Sequence, residues 1–222
     1  MDVTPLALQP LPEWTRWLAW ALAAGALATG LPALREALGR DDGARRVLLP
    51  ATIALAAMRL FNTAPLHGVM LHFLGASIAT LMFGAGVACW TMAAVSLAGV
   101  LLGAAWQGWA IDFVATGVLP VAVTALASAV ARHAAPRNIF TYVMLNAFGS
   151  GALAMAASML AKAAASAAFG GHAAQAYLAA TPLLMFGEAF FTGTVMVLVV
   201  VYRPQWCRSF DDRDYLWPQR GM

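Results

Sequence analysis

Four ionisable side chains interrupt the apolar stretches of this sequence, His67, His72, Asp112 and Glu188, with Arg59 and Lys162 near span ends. A charge inside a membrane span is costly and marks an ion or ligand site, or a paired structural group. His67 and His72 stand in "PLHGVMLHFLG" (65–75), bracketed by Gly68 and Gly75. Neutral imidazole is a good ligand for borderline metals such as Ni²⁺, Co²⁺, Cu²⁺ and Zn²⁺. On one continuous helix, residues five apart point about 140° away from each other, so the two imidazoles would not grip one ion. Either His67 folds back from a loop over the helix carrying His72, or only one of the pair faces the bundle interior. The competing reading makes His67 an interfacial loop residue and His72 a hydrogen-bonding group across the bundle.

Asp112, in "QGWAIDFVATG" (107–117), either completes such a site from the same surface or caps a helix start. Glu188, in "TPLLMFGEAFFTGTVM" (181–196), is mid-span, where a lone carboxyl must pair, protonate or face a polar cavity. Gly187 and Thr192 beside it favour a packed polar interface and a hydrogen-bonding role. The eleven methionines form no MxxM or MxxxM array and read as packing or lipid-facing filler. HExxH, GxSxG, Walker A and CxxC motifs are absent, so nothing asks for an enzyme. Cys89 and Cys207 give no disulfide framework.

The elements that must position these groups follow from composition. The chain is 62% hydrophobic and 10% charged, against about a quarter charged in soluble domains. It reads as an all-α, polytopic membrane helical bundle. Apolar segments near 15–37, 47–64, 68–84, 86–105, 109–132, 139–165 and 179–202 give about seven spans, the third and fourth divided at the glycine-rich "FGAG" (83–86). Residues 1–202 form a single transmembrane domain and 203–222 a short cytoplasmic tail. The start "MDVTPLALQPLPEW" has no basic n-region, so no cleavable signal is expected.

With the N-terminus outside and the C-terminus in the cytoplasm, ten of the thirteen basic residues fall inside and Arg16, Arg59 and Lys162 outside, as the positive-inside rule asks. Trp14, Trp17, Trp106 and Trp109 then form an outer aromatic belt. The net charge of +3 reads as this orientation signal, with no nucleic-acid partner implied. Small-xxx-small spacing in "ALAAGALATG" (21–30), "GVLLG" (99–103) and "GALAMAASMLAKAAASA" (151–167) serves tight packing within the bundle or docking of another membrane subunit.

Three stretches carry a family resemblance: "LHFLGASIATLMFGAG" (71–86), "GWAIDFVATGVLPVAVTALASAVARH" (108–133) and "TPLLMFGEAFFTGTVMVLVVVY" (181–202). They resemble the CbiM/NikM family, the substrate-binding membrane components of energy-coupling factor (ECF) ABC transporters for cobalt and nickel, over roughly 47–202. The matching positions are His72, Gly75, Phe83, Gly84 and Glu188. The resemblance implies seven helices with the N-terminus outside, in a bacterial inner membrane. It also implies capture of Co²⁺ or Ni²⁺ near the outer face and passage inward with a transmembrane coupling subunit and cytoplasmic ATPases. The family's metal ligands come largely from an N-terminal Met-His-Ile, whereas this chain begins Met1-Asp2-Val3-Thr4 and has no His before position 67. Only His72 carries over, and Thr116 stands near the family's Asn. The expected metal set is therefore His72 with His67 and Asp112 as substitutes, and no permanently bound cofactor. The alternative is an assembly or interaction subunit that kept the fold and lost metal binding.

Overall fold

The computed structural model describes residues 11–40, 43–59, 63–66, 69–101, 106–169 and 173–215, with backbone alone for 63–66, 69–71 and 214. Helices α1 (Glu13–Gly39) and α2 (Gly43–Met58) are followed by a two-stranded antiparallel hairpin, β1 (Thr63–Leu66) and β2 (Val69–Leu71). Then come α3 (Ala76–Phe83), α4 (Ala85–Leu101), α5 (Trp106–Ala134), α6 (Ile139–Ala168), α7 (Ala174–Tyr202) and the short α8 (Asp212–Tyr215). Among the described residues α1, α5, α6 and α7 are long and apolar enough to cross a membrane, and α4 is a shorter apolar helix.

Side-chain burial is inverted relative to a water-soluble protein. On α7, Phe186 and Phe190 are 63% and 61% exposed, while Glu188 and Thr192 are fully buried. Buried Ser77 and Thr124 hydrogen-bond each other at 2.8 Å between α3 and α5. Apolar surface faces outward and polar side chains are buried, some of them bonded across helices, the arrangement a lipid solvent favours.

Small residues set the helix contacts. A Cβ on Gly30 of α1 would lie 2.6 Å from the Gly86 carbonyl oxygen of α4, so these backbones meet directly. A Cβ on Gly151 of α6 would lie 3.2 Å from the Glu188 carbonyl oxygen of α7. At these two positions the small-residue spacing serves packing within the bundle.

Contacts sort the helix termini into two ends. At one end Trp14 packs against Phe169, and Trp20 clusters with Trp106 and Trp109. At the other end Arg208 reaches Glu36, its amide donates to the Met82 carbonyl, and the Ser209 amide donates to that of Leu81. Residues 203–215 are docked there: Tyr142 hydrogen-bonds Ser209 at 2.6 Å and packs edge-on against Phe210 and Tyr215.

The all-α class stands, with one short two-stranded hairpin, whereas the continuous helix expected over 68–84 is corrected here. That segment enters as strand β2, runs without regular secondary structure through 72–75 and becomes helical only for the eight residues of α3. The second apolar segment likewise ends as helix at Met58, before the hairpin. The reasons are local: Pro65 is unsuited to a helix interior, and Gly75 and Gly84 adopt positive φ at the two ends of α3. The 140° helical argument for His67 and His72 therefore lapses, since the backbone at His72 is not helical and His67 lies outside the described residues.

Gly75 is favoured by its φ of +65°, and a Cβ there would press on the Leu55 side chain, which would have to shift. Gly75→Ala should destabilise the protein by roughly 1–3 kcal/mol. Thermal unfolding in detergent checks this, and adding Leu55→Ala should give a loss smaller than the sum of the two single losses.

Candidate functional site

The non-helical strap 72–75 packs against the helices, with His72 and Leu74 8% and 3% exposed and Phe73 turned outward. Non-helical backbone at that depth needs partners from the protein itself. Glu188, midway along α7, supplies them: its two carboxyl oxygens accept from the amides of Leu74 at 2.9 Å and Gly75 at 2.8 Å. These are donors at the start of α3 that no helical carbonyl reaches, so Glu188 acts as a capping group delivered from another helix. Gly187 completes the clasp, because a Cβ there would lie 2.9 Å from the Phe73 ring, which also packs on Phe191 at 6.0 Å. The sequence "GEAFF" (187–191) is thus a receptor for residues 73–75. Glu188 does not belong to a ligand set; it holds the backbone that carries His72.

His72 Nδ1 lies 3.1 Å from its neighbour's carbonyl oxygen, Phe73 O. With the ring proton on Nδ1 donated to that oxygen, Nε2 keeps its lone pair for another partner. Asp112 sits one turn inside α5 and pairs with Arg59, which follows α2. It caps no helix start: Gly108 holds the cap position of that turn, and the carboxylate is spent on the guanidinium. Arg59 also donates to Ser96 Oγ at 3.3 Å and Thr116 Oγ1 at 3.5 Å. Thr116 in turn donates to the Asp112 carbonyl at 2.8 Å. It is fully buried in a π-helical turn, Val114–Val118, a local widening that occurs often at functional sites.

Lys162 completes the group. Ser158, one turn earlier on α6, donates to the Ala115 carbonyl at 2.8 Å, which fixes the face carrying Lys162 against the Asp112 turn. Lys162 is 6% exposed and within electrostatic reach of Asp112, Arg59 and His72. It forms no hydrogen bond or ion pair with any described residue.

Of the expected set, the structure brings His72, Asp112 and Thr116 into one neighbourhood and puts Glu188 behind it. Among the described residues no three His, Cys, Asp or Glu side chains form a group that could hold a metal ion. The sequence had marked Arg59 and Lys162 only as charges near span ends, yet both are central here. Their signal was available, because each is an ionisable residue within an apolar region.

A family model described as the cobalt uptake substrate-specific transmembrane region, CbiM, matches residues 8–206. The chain belongs to this family. It is accordingly a membrane protein of cobalt-uptake type. No curated protein and no solved structure matches the chain. Arg59 and Lys162 against one Asp112 leave a net positive charge. A divalent ion roughly 6 Å from one unpaired cation is repelled by about 5 kcal/mol at an effective dielectric of about 20.

The Arg59–Asp112 pair, with side chains 14% and 30% exposed, is expected to be strongly coupled. Arg59→Met and Asp112→Asn should each destabilise by roughly 2–4 kcal/mol, since each strands a partly buried charge. The double variant should lose at least about 1 kcal/mol less than their sum. Unfolding in detergent measures this, and additive losses would show that the two groups do not support each other.

Proposed function

We propose that this chain is the substrate-capturing membrane component of a transition-metal uptake system of the cobalt and nickel type. The observation that carries the reading is the coincidence of family membership over 8–206 with the burial of His72, the one imidazole that the resemblance carries over. In this reading the strap 72–75 presents His72 Nε2 to a metal, and Glu188 keeps the strap in register. His67 and the N-terminal segment are the further ligands to test, whereas Asp112 acts through Arg59 as a charge partner.

The orientation proposed is N-terminus outside and C-terminus in the cytoplasm of a bacterial inner membrane, with about seven passes counting α3 as a half-span. The His72 neighbourhood then lies towards the outer face, with the tryptophan cluster. The end holding Arg35, Arg40, Arg45, Arg132, Arg137, Arg203 and Arg208 lies inside, as the basic-residue bias asks. Release inward would proceed with ECF-type partners, a transmembrane coupling subunit and cytoplasmic ATPases. The chain carries no nucleotide motif, so it would act as the binding component and not as an enzyme.

The second reading, a subunit that kept the bundle and lost metal binding, is favoured by one observation: Arg59 and Lys162 bring positive charge to bear on His72. Cellular accumulation of radioactive ⁶³Ni or ⁵⁷Co separates the two. Cells expressing the chain with its coupling and ATPase partners should accumulate metal several-fold above cells lacking it, and His72→Ala should abolish the gain. Equal accumulation with and without the chain would contradict the uptake reading.

A further inference from the structure

The end of the bundle opposite the tryptophan cluster carries a cavity of about 100 Å³. A single water needs at least about 10–15 Å³, so a group the size of a phosphate has room. Three guanidinium groups line the cavity from separate segments: Arg40 at the end of α1, Arg45 in the first turn of α2 and Arg208 in the docked tail. All three are exposed and form its mouth. Its inner wall is apolar, with Phe83 and Val87 buried and Leu48 half-buried.

Among the described residues Glu36 is the carboxylate beside these arginines. It pairs with Arg40 and lies 3.8 Å from Arg208, too far for a hydrogen bond. Arg45 Nη1 donates to the Arg40 carbonyl oxygen at 3.3 Å, which holds the first two arginines side by side. Over 35–46 the sequence sets Arg35, Arg40, Arg45 and Arg46 against Glu36, Asp41 and Asp42, and Arg208 adds to the positive side. A guanidinium carries five donors in a rigid fork, so pairing at one edge leaves others for a phosphate. Arg45, Leu49 and Ile53 follow at four-residue spacing on one face of α2, where Leu49 and Ile53 are 68% and 59% exposed. An anion held at Arg45 thus has an apolar stripe running on from it, which suits an acyl chain and is of no use to a free ion. Basic pockets between membrane helices favour anionic lipid headgroups for the same reasons.

We propose that this cavity binds the phosphate of an anionic glycerophospholipid, with Arg40, Arg45 and Arg208 around the headgroup and an acyl chain along Leu49 and Ile53. Because the three arginines come from α1, α2 and the tail, one bound lipid ties these segments together. The site is separate from the His72 neighbourhood and does not depend on the uptake reading.

Native mass spectrometry of the full-length chain, released from detergent after adding phosphatidylglycerol, phosphatidylcholine or inorganic phosphate, tests this. One phosphatidylglycerol per chain should be retained, at least about tenfold more tightly than phosphatidylcholine or inorganic phosphate. The double variant Arg40→Gln/Arg208→Gln changes exposed positions, should keep the fold, and should lose at least about tenfold in affinity with its charge-assisted contacts. Ala37→Phe keeps every charge but fills the cavity that Ala37 lines, and should lose as much. Should that variant fail to fold, the arginine pair decides alone. Equal retention of the two lipids would overturn the proposal, as would inorganic phosphate binding as tightly as phosphatidylglycerol. Unchanged affinity in the arginine variant, or in a folded Ala37→Phe, would overturn it too, leaving only the general attraction of a basic surface for anionic lipid.

Discussion

A backbone amide that is neither in a helix nor in water must find an acceptor within the protein. Here two such amides, at Leu74 and Gly75, sit opposite the middle of α7, and Glu188 accepts both. The rest of the site depends on that pair of bonds. They allow the chain to leave the hairpin as a non-helical strap and begin α3 within the bundle, with the Leu74 and Gly75 amides satisfied. They also fix His72, two residues earlier, at a set depth. Gly75 turns the chain with a positive φ, Gly187 makes room for Phe73, and α3 ends at Gly84 where Leu81 and Met82 carbonyls receive the amides of residues 208 and 209. A buried carboxyl that might be read as a proton carrier is thus used as a capping group.

The second constraint is charge. Arg59 and Lys162 enter a mostly apolar interior, with Asp112 as the opposing charge that acts on both among the described residues. Pairing Arg59 with Asp112 fixes the α2 terminus to α5 and lends Thr116 and Ser96 to the guanidinium. Lys162 remains over.

Much of the architecture was legible in the residues, and the parts that were not share a cause. The long apolar runs of α1, α5, α6 and α7 fall where hydropathy places them, because lipid imposes length and composition on any full crossing. The 68–84 segment is just as apolar, but burial in protein and burial in lipid select the same composition, so hydropathy does not distinguish a half-helix with a strap from a span. Pro65, Gly68 and Gly75 were the available signs, and they were legible as breaks without revealing an extended segment between them. Glu188 was recognised as needing a partner; that the partner is backbone more than a hundred residues away is a tertiary fact. The same holds for Asp112, whose guanidinium partner comes from a separate helix 53 positions earlier. Lys162 was visible as a charge in an alanine-rich helix, but only the Ser158–Ala115 contact shows that its face turns inward.

The central claim is that Glu188 holds the strap that carries His72. Amide hydrogen exchange of the chain in lipid nanodiscs, comparing the native protein with Glu188→Ala, tests it directly. Removing the acceptor leaves two buried donors unsatisfied at about 1–3 kcal/mol each, so exchange at Leu74 and Gly75 should accelerate roughly tenfold or more, with the α5 amides unchanged. Unchanged protection at Leu74 and Gly75 would contradict the account.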